Sequence, residues 1–276
     1  VRIITLVENN RGDDSLMDIE HGLCLYIEIG DKKYLFDTGA SDLLIRNAMK
    51  KDIDLSLVDA VFISHGHYDH GGGLLSFLSI NSKAKIYLSK YALNEFAVFV
   101  NNQKERDIGL DPSLKNNNRF IAIDDILMID EQVSIFSNVQ GRRFFPTSNE
   151  VLYQKDEHGK WVLDSFNHEI NVVLQEEKQV VLLAGCAHNG IINIIDHLKS
   201  NLKLTPTVVI GGFHLSNPTL KTNEDPIRVT QLAAELLAGR AKYYTCHCTG
   251  LPSYVVLKQA MNQHIEYLAT GDELVL

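Results

Sequence analysis

The apolar positions of this chain fall into short runs, and many of them end on asparagine, glycine or histidine. "RIITLVE" (2–8) leads into Asn9-Asn10, while "LCLYIEIG" (23–30) and "KKYLFDTG" (32–39) are separated by Gly30-Asp31, which predicts a hairpin. Residues 41–53 have helical spacing with Ser41 as N-cap. "VDAVFISH" (58–65) reads as a nearly all-apolar strand, "GGGLLSFLSIN" opens a helix behind it, and "AKIYLSK" (84–90) is a further strand. The later part repeats the style. "INVVLQ" (170–175) and "KQVVLLAG" (178–185) flank Glu176-Glu177 as a second hairpin, and 189–201 reads as a helix. "TPTVVIGGFH" (205–214) and "KYYTCH" (242–247) are strands ending at His214 and His247. Residues 225–240, with Pro226 at the start, and 253–264 are helices, and the last residues supply final strand elements.

Hairpins alternating with strand-to-helix units predict an α/β fold, two mixed sheets with helices outside: a four-layer αββα sandwich. The hairpins count against a purely parallel doubly wound sheet. The polar, glycine- and proline-punctuated middle, around 91–169, reads as a lid-like insertion on a single domain spanning 1–276.

Composition narrows the partners. A formal net charge of -9 argues against nucleic acid, which wants a basic surface; Arg142-Arg143 is one short basic candidate. Cys24, Cys186, Cys246 and Cys248 form neither a disulfide framework nor a C-x-x-C zinc pair, so reduced thiols in a cytoplasmic protein are expected. No basic-then-apolar export signal opens the sequence, and no apolar run approaches the roughly 18 residues of a membrane span. A soluble protein, with a homo-oligomer left open, is the expectation.

The chemistry concentrates in "FISHGHYDHGGG" (62–73), where His65, His67, Asp69 and His70 crowd a glycine-rich turn. Imidazole and carboxylate together suit Zn²⁺, Mn²⁺ or Fe²⁺. The two pairs, His65/His67 and Asp69/His70, suit two ions. Further donors are offered by His188 in "LAGCAHNG", His214 in "IGGFH" and His247 in "TCHCTG", each after an apolar strand. A lone histidine after a strand is more often structural, but four such sites in one chain point to metal. Asp37 either orients a ligand imidazole or caps its own turn. His21, Asn9 and Asn10 are candidates to line a cleft, whereas His158, His197 and His264 carry no signal. Trp161, Phe144 and Phe145 pack the middle segment or contact a flat ring.

The stretch 62–73 resembles the H-x-H-x-D-H signature of the metallo-β-lactamase superfamily, and "LFDTGAS" (35–41) resembles its early Asp-Thr-Gly turn. "EHGLCLYIE" (20–28), "GCAHNGI" (185–191), "GGFHL" (211–215) and "HCTG" (247–250) are similar to the branch named for dihydropterin–ribofuranosylaminobenzene 5′-phosphate synthase. The resemblance implies two divalent ions, zinc foremost with manganese or iron as alternatives. His65 and His67 would serve the first ion, and Asp69, His70 and His247 the second. His188 replaces the usual third histidine, with His168, beside Glu169, as contender. Cys186 falls where the bridging aspartate is expected. His214 would face the substrate, binding phosphate or donating a proton, and Asp69 would orient the attacking water. Three activities follow: a hydrolase of an ester or phosphoester in a small phosphate-bearing metabolite, a synthase-like transferase releasing diphosphate, or a non-catalytic metabolite-binding or signalling protein.

Overall fold

The computed structural model describes residues 1–14 and 16–276. It divides into two compact units, the first formed by Val1–Asp124, Val151–Ile170 and Ala269–Leu276, the second by Asp125–Glu150 and Asn171–Leu268.

The first unit holds a seven-stranded sheet in the order Glu273–Val275, Arg2–Val7, Cys24–Ile29, Lys32–Phe36, Ala60–Ile63, Lys85–Ser89, Phe120–Ile123. The first three pairings are antiparallel and the last three parallel. Its hairpin turns at Gly30-Asp31 as expected, Ile29 facing Lys32. Gly30 has φ of 53°, a left-handed conformation glycine adopts without a Cβ penalty. Helices Leu43–Lys50 and Leu74–Ile80 lay Leu43, Leu44, Ala48, Leu74 and Phe77 into one core with Leu6, Leu35, Val61, Ile63 and Ile86. Each large apolar side chain so buried contributes about 1.5–3 kcal/mol. All four residues of Ala60–Ile63 are buried, which is why this strand reads as a continuous apolar run. The stretch 91–169 is divided: its beginning and end belong to the first unit, which also carries an antiparallel sheet in the order Trp161–Leu163, Leu152–Lys155, Phe96–Val100, Gln103–Asp107. Residues 125–150 belong to the second.

The second unit repeats the pairing plan. Its sheet runs Leu127–Met128, Val133–Phe136, Asn171–Glu176, Gln179–Ala184, Val208–Gly211, Lys242–Thr245, Ile265–Tyr267, with three antiparallel pairings followed by three parallel ones. Ile191, Ile194 and Ile195 from Ile191–His197, Val229, Leu232 and Leu236 from Pro226–Ala238, and Leu257 from Leu251–Met261 pack into its core. Asp225 caps the middle helix, accepting from the Ile227 and Arg228 amides, with Pro226 in the first turn.

Some boundaries differ from the sequence reading. The second hairpin turns at Glu177-Lys178 rather than Glu176-Glu177, because Glu176 pairs with Gln179 and Glu177 takes the positive φ. Asp42, not Ser41, occupies the cap position of the first helix; Ser41 Oγ still accepts from the Leu43 amide. The helix after the histidine cluster is Leu74–Ile80, and a separate short helix, Tyr68–Gly71, lies within the cluster. The helix at Ile191–His197 ends in a wider turn, Leu198–Leu202.

Candidate metal centre

In the first unit, strand Ala60–Ile63 delivers Ser64 and His65 from its carboxyl end, and His67 to His70 turn into the short helix Tyr68–Gly71. The turn is tight by necessity: a Cβ on Gly66 would run into the Ala92 carbonyl, and one on Gly72 into the Ala40 carbonyl. The amide of Tyr68 donates to the Ile108 carbonyl at 2.8 Å, which anchors the segment from the far side.

One buried carboxylate organises the cluster. Asp37, in a left-handed conformation (φ 62°), accepts from the Ser64 amide at 2.7 Å, from Ser64 Oγ at 2.7 Å and from His70 Nδ1 at 2.6 Å. Because Ser64 Oγ gives its proton to Asp37, it receives the Nδ1 proton of His65, 2.9 Å away. His65 therefore carries its lone pair on Nε2, and so does His70 when neutral. The two rings lie 4.1 Å apart between centroids, and His65 and His67 4.6 Å apart. His70 Nε2 and Asp69 Oδ2 stand 3.8 Å apart, a span that two bonds of about 2.0–2.2 Å meeting at a divalent ion would bridge. The oxygen and nitrogen donors of this cluster thus fit a divalent metal. The Asp37 carboxylate contacts Ser64 and His70. Its partner Ser64 carried no signal in the sequence.

The cluster is electrostatically divided. Burial, helped by His70, His67 and His168, pushes His65 well below the ordinary histidine range. Burial, with His168 adding to it, pushes His67 down to about 3. Burial also opposes charge on His70, but Asp37 and Asp69 outweigh it and the net direction is upward, with Glu169 adding a smaller contribution. His65 and His67 are consequently neutral near pH 7, the form in which imidazole donates to a metal.

His168 is placed differently. Its Nδ1 accepts from the Gly66 amide at 2.9 Å, so the proton sits on Nε2, which donates to Asp164 at 3.0 Å. Both ring nitrogens are engaged within the protein. Asp164 is held below the usual carboxylate range: burial opposes this, and His168 and His67 override it. His168 and Asp164 together brace the Gly66 turn. His21 Nε2 lies 3.2 Å from Asp69 Oδ2, while the Asn10 amide and side chain bond to buried Glu8 at 2.6 and 3.4 Å. Asn9 Oδ1 accepts from the Gly22 amide.

In the second unit, three strands end in candidate donors: Cys186 and His188 after Gln179–Ala184, His214 after Val208–Gly211, and His247 and Cys248 after Lys242–Thr245. Ligands collect at the carboxyl ends of parallel strands in open α/β sheets generally. Each of these loops holds a non-glycine residue at positive φ: Ala187 (51°), His214 (51°) and His247 (50°). Such strain costs about 1–3 kcal/mol per residue and gathers at functional sites. Asn149 grips His188 from both sides: its Nδ2 donates to the His188 carbonyl at 2.8 Å and its Oδ1 accepts from His188 Nδ1 at 2.9 Å. That places the His188 lone pair on Nε2. The His188 and His214 rings are 4.1 Å apart, and the His214 carbonyl accepts from Ser148 Oγ. Neither Asn149 nor Ser148 stood out in the sequence, because nothing local marks their partners.

Other candidates resolve into structure. Arg143 pairs with Asp196 at 3.1 Å and Glu235 at 2.7 Å, which compensates its charge, and Arg142 lies over the Phe145 ring. His158 and His264 are exposed, and His197 stacks on Phe136. Phe144 packs against the second core, and Trp161 lies against Phe99. All four cysteines are buried. Among the described residues no helix is long and apolar enough to cross a membrane.

The family description "Metallo-beta-lactamase superfamily" matches residues 17–224, and the chain belongs to that superfamily. Its fold class is the expected αββα metallo-β-lactamase type. At the level of individual relatives, it is 27% identical to the 7,8-dihydropterin-6-methyl-4-(beta-D-ribofuranosyl)-aminobenzene-5'-phosphate synthase of Methanocaldococcus jannaschii, over 98% of this chain and 95% of the relative. It is 28% identical to a crystal structure described as a metal-dependent hydrolase of the β-lactamase superfamily, at a TM-score of 0.83, covering 100% of this chain and 98% of that one. Zn²⁺-bound PqqB from Methylobacterium extorquens, at 12% identity, full coverage of both chains and a TM-score of 0.57, shares the fold.

Proposed function

We propose that this chain is a metal-dependent hydrolase with two divalent ions, zinc foremost and manganese or iron as alternatives, acting on an ester or phosphoester of a small phosphate-bearing metabolite. The observation that carries the reading is the buried Asp37–Ser64–His65–His70 network, which engages both imidazoles through Nδ1 and leaves His70 Nε2 3.8 Å from Asp69 Oδ2. Such support of ligand imidazoles by a carboxylate is typical of working metal sites. His65, His67, Asp69, His70, His188 and His247 are the proposed donors. Bound there, divalent ions would supply Lewis acidity and a water of lowered pKa. Asp69 would orient that water through Oδ2, with His21 beside the same atom. Asp37 keeps His70 in one tautomer, and Asn149 does the same for His188. His214 is the proposed proton donor to the leaving oxygen or phosphate binder, by the general acid logic of a positioned imidazole.

A second reading has a specific support: the Methanocaldococcus relative that is similar over nearly the whole chain is described as a synthase. In that reading the same residues assist departure of diphosphate from a pterin methyl diphosphate, and water is excluded. Two measurements test the proposal together. Elemental analysis of protein purified without chelator is expected to find about two divalent ions per chain, a stoichiometry set by the two-ion site logic. A panel of nitrophenyl phosphomonoesters, phosphodiesters and carboxylic esters is then expected to be hydrolysed in a chelator-sensitive way. Diphosphate release from the pterin substrate, without hydrolysis of the panel, would replace the hydrolase with the synthase. Absence of bound metal and of metal uptake would overturn both.

A further inference from the structure

Cys186, His247 and Cys248 each present one donor atom, and these lie within 4.8 Å of one another in the second unit. All three residues are buried. A second trio, Cys186, His188 and His214, satisfies the same condition and shares Cys186. In sequence these cysteines read as ordinary reduced thiols, because Cys246 and Cys248 are too close for a C-x-x-C pair and no second close pair follows them. Folding removes that objection. The loop after Gln179–Ala184 carries Cys186, and the turn His247–Thr249 after Lys242–Thr245 carries Cys248, so the two thiols meet across the end of the intervening strand Val208–Gly211.

We propose that one of the two divalent ions is bound through sulfur: Cys186 Sγ and Cys248 Sγ join His247, already a proposed donor, with His188 as the nearby fourth donor. The inference rests on the metal-dependent reading above for the presence of the ion, and adds to it the sulfur that the superfamily signature does not require. Three observations support it beyond proximity. The Cys248 thiol is 3.6 Å from the Cys186 carbonyl, which fixes its direction toward the Cys186 loop. Gly212 makes the room, since a Cβ there would run into Cys248 Sγ. The backbone is held in uncommon left-handed conformations at Ala187, between Cys186 and His188, and at His247, next to Cys248. Two thiolates and an imidazole form a soft donor set that favours zinc, or cadmium as a probe, over manganese and magnesium. Each thiol would lose its proton to solvent as the metal–sulfur bond forms.

X-ray absorption at the zinc edge of the wild-type, zinc-loaded full chain tests this without any variant. Sulfur scatterers at about 2.3 Å, beside nitrogen and oxygen at about 2.0–2.1 Å, are expected. Zinc bound through nitrogen and oxygen alone would overturn the thiolate site and leave the hydrolase reading standing. A chain that binds no zinc would overturn both. Cys186→Ser and Cys248→Ser are each expected to reduce the sulfur contribution. Each should also weaken zinc binding by more than the roughly 10–100-fold that losing a supporting partner costs. An undiminished sulfur signal in both folded variants would likewise refute the assignment.

Discussion

The two units share one sheet plan and differ in the chemistry they hang on it. Each runs three antiparallel pairings and then three parallel ones, and each puts its polar residues where parallel strands end. In the first unit the donors come from a single turn, His65 to His70, and a carboxylate network braces them. In the second they are spread over three loops, two of the candidates are thiols, and an amide, Asn149, supports His188. A contiguous motif can be held by one carboxylate because its members already share a backbone. Dispersed donors need separate local devices, which explains the three left-handed loop residues Ala187, His214 and His247.

That contrast can be broken experimentally, beginning where the effect is largest. Removing the proposed water-orienting carboxylate with Asp69→Ala is expected to lower kcat on any hydrolysed panel substrate by about 10²–10⁴-fold, the usual worth of a positioned acid–base group. Steady-state kinetics on metal-replete protein would show it, and unchanged turnover would remove Asp69 from the mechanism. Next is the brace. Asp37→Ala leaves the Ser64 amide and the His70 Nδ1 proton buried without their acceptor, and should cost about 3–5 kcal/mol of stability. A urea titration reads this directly, and a loss under about 1 kcal/mol would mean the network is slack.

The pH response of chelator-stripped protein distinguishes the histidines by sign. His67, held at about 3, stays neutral when folded while the unfolded chain protonates near 6.5, so its contribution falls as pH drops from about 6.5 toward 3. Between pH 6.5 and 5 that amounts to about 2 kcal/mol at most. His65 acts in the same sense. His70, shifted upward, contributes stability that is present below the ordinary histidine value and lost as pH rises through its raised one. Urea midpoints for the wild type and His67→Gln should therefore differ in pH slope, with the variant flatter on the acid side. Identical slopes would contradict the depressed His67. A further effect belongs to the second unit: Asn149→Ala should weaken metal retention about 10–100-fold. It should destabilise the fold by about 1–3 kcal/mol. Competition with a chromophoric chelator measures the first quantity. No change there would detach Asn149 from the site.

Much of the candidate site was legible because its residues are neighbours in sequence. His65, His67, Asp69 and His70 announced themselves, and the hairpin at Gly30-Asp31 followed from turn chemistry alone. The weaker points were those settled by non-local pairing. The second hairpin turned one residue later than read, because register depends on which strand faces to face with which, not on local propensity. His168 resembled a ligand by position, yet the Gly66 amide 102 residues away takes its Nδ1. Asn149 and Ser64 are common polar residues whose role exists only through a distant partner.

By itself, then, the amino-acid order determined the strand-and-helix succession, the membership of the first histidine cluster and the superfamily signature, since periodicity and contiguous motifs are local properties of a chain. Tertiary structure alone decided the partners of the ring nitrogens of His65, His70, His168 and His188, and that Cys186 and Cys248 come close together. Those outcomes depend on hydrogen-bond partners and strand ends brought together from across the sequence, and no local pattern encodes such meetings.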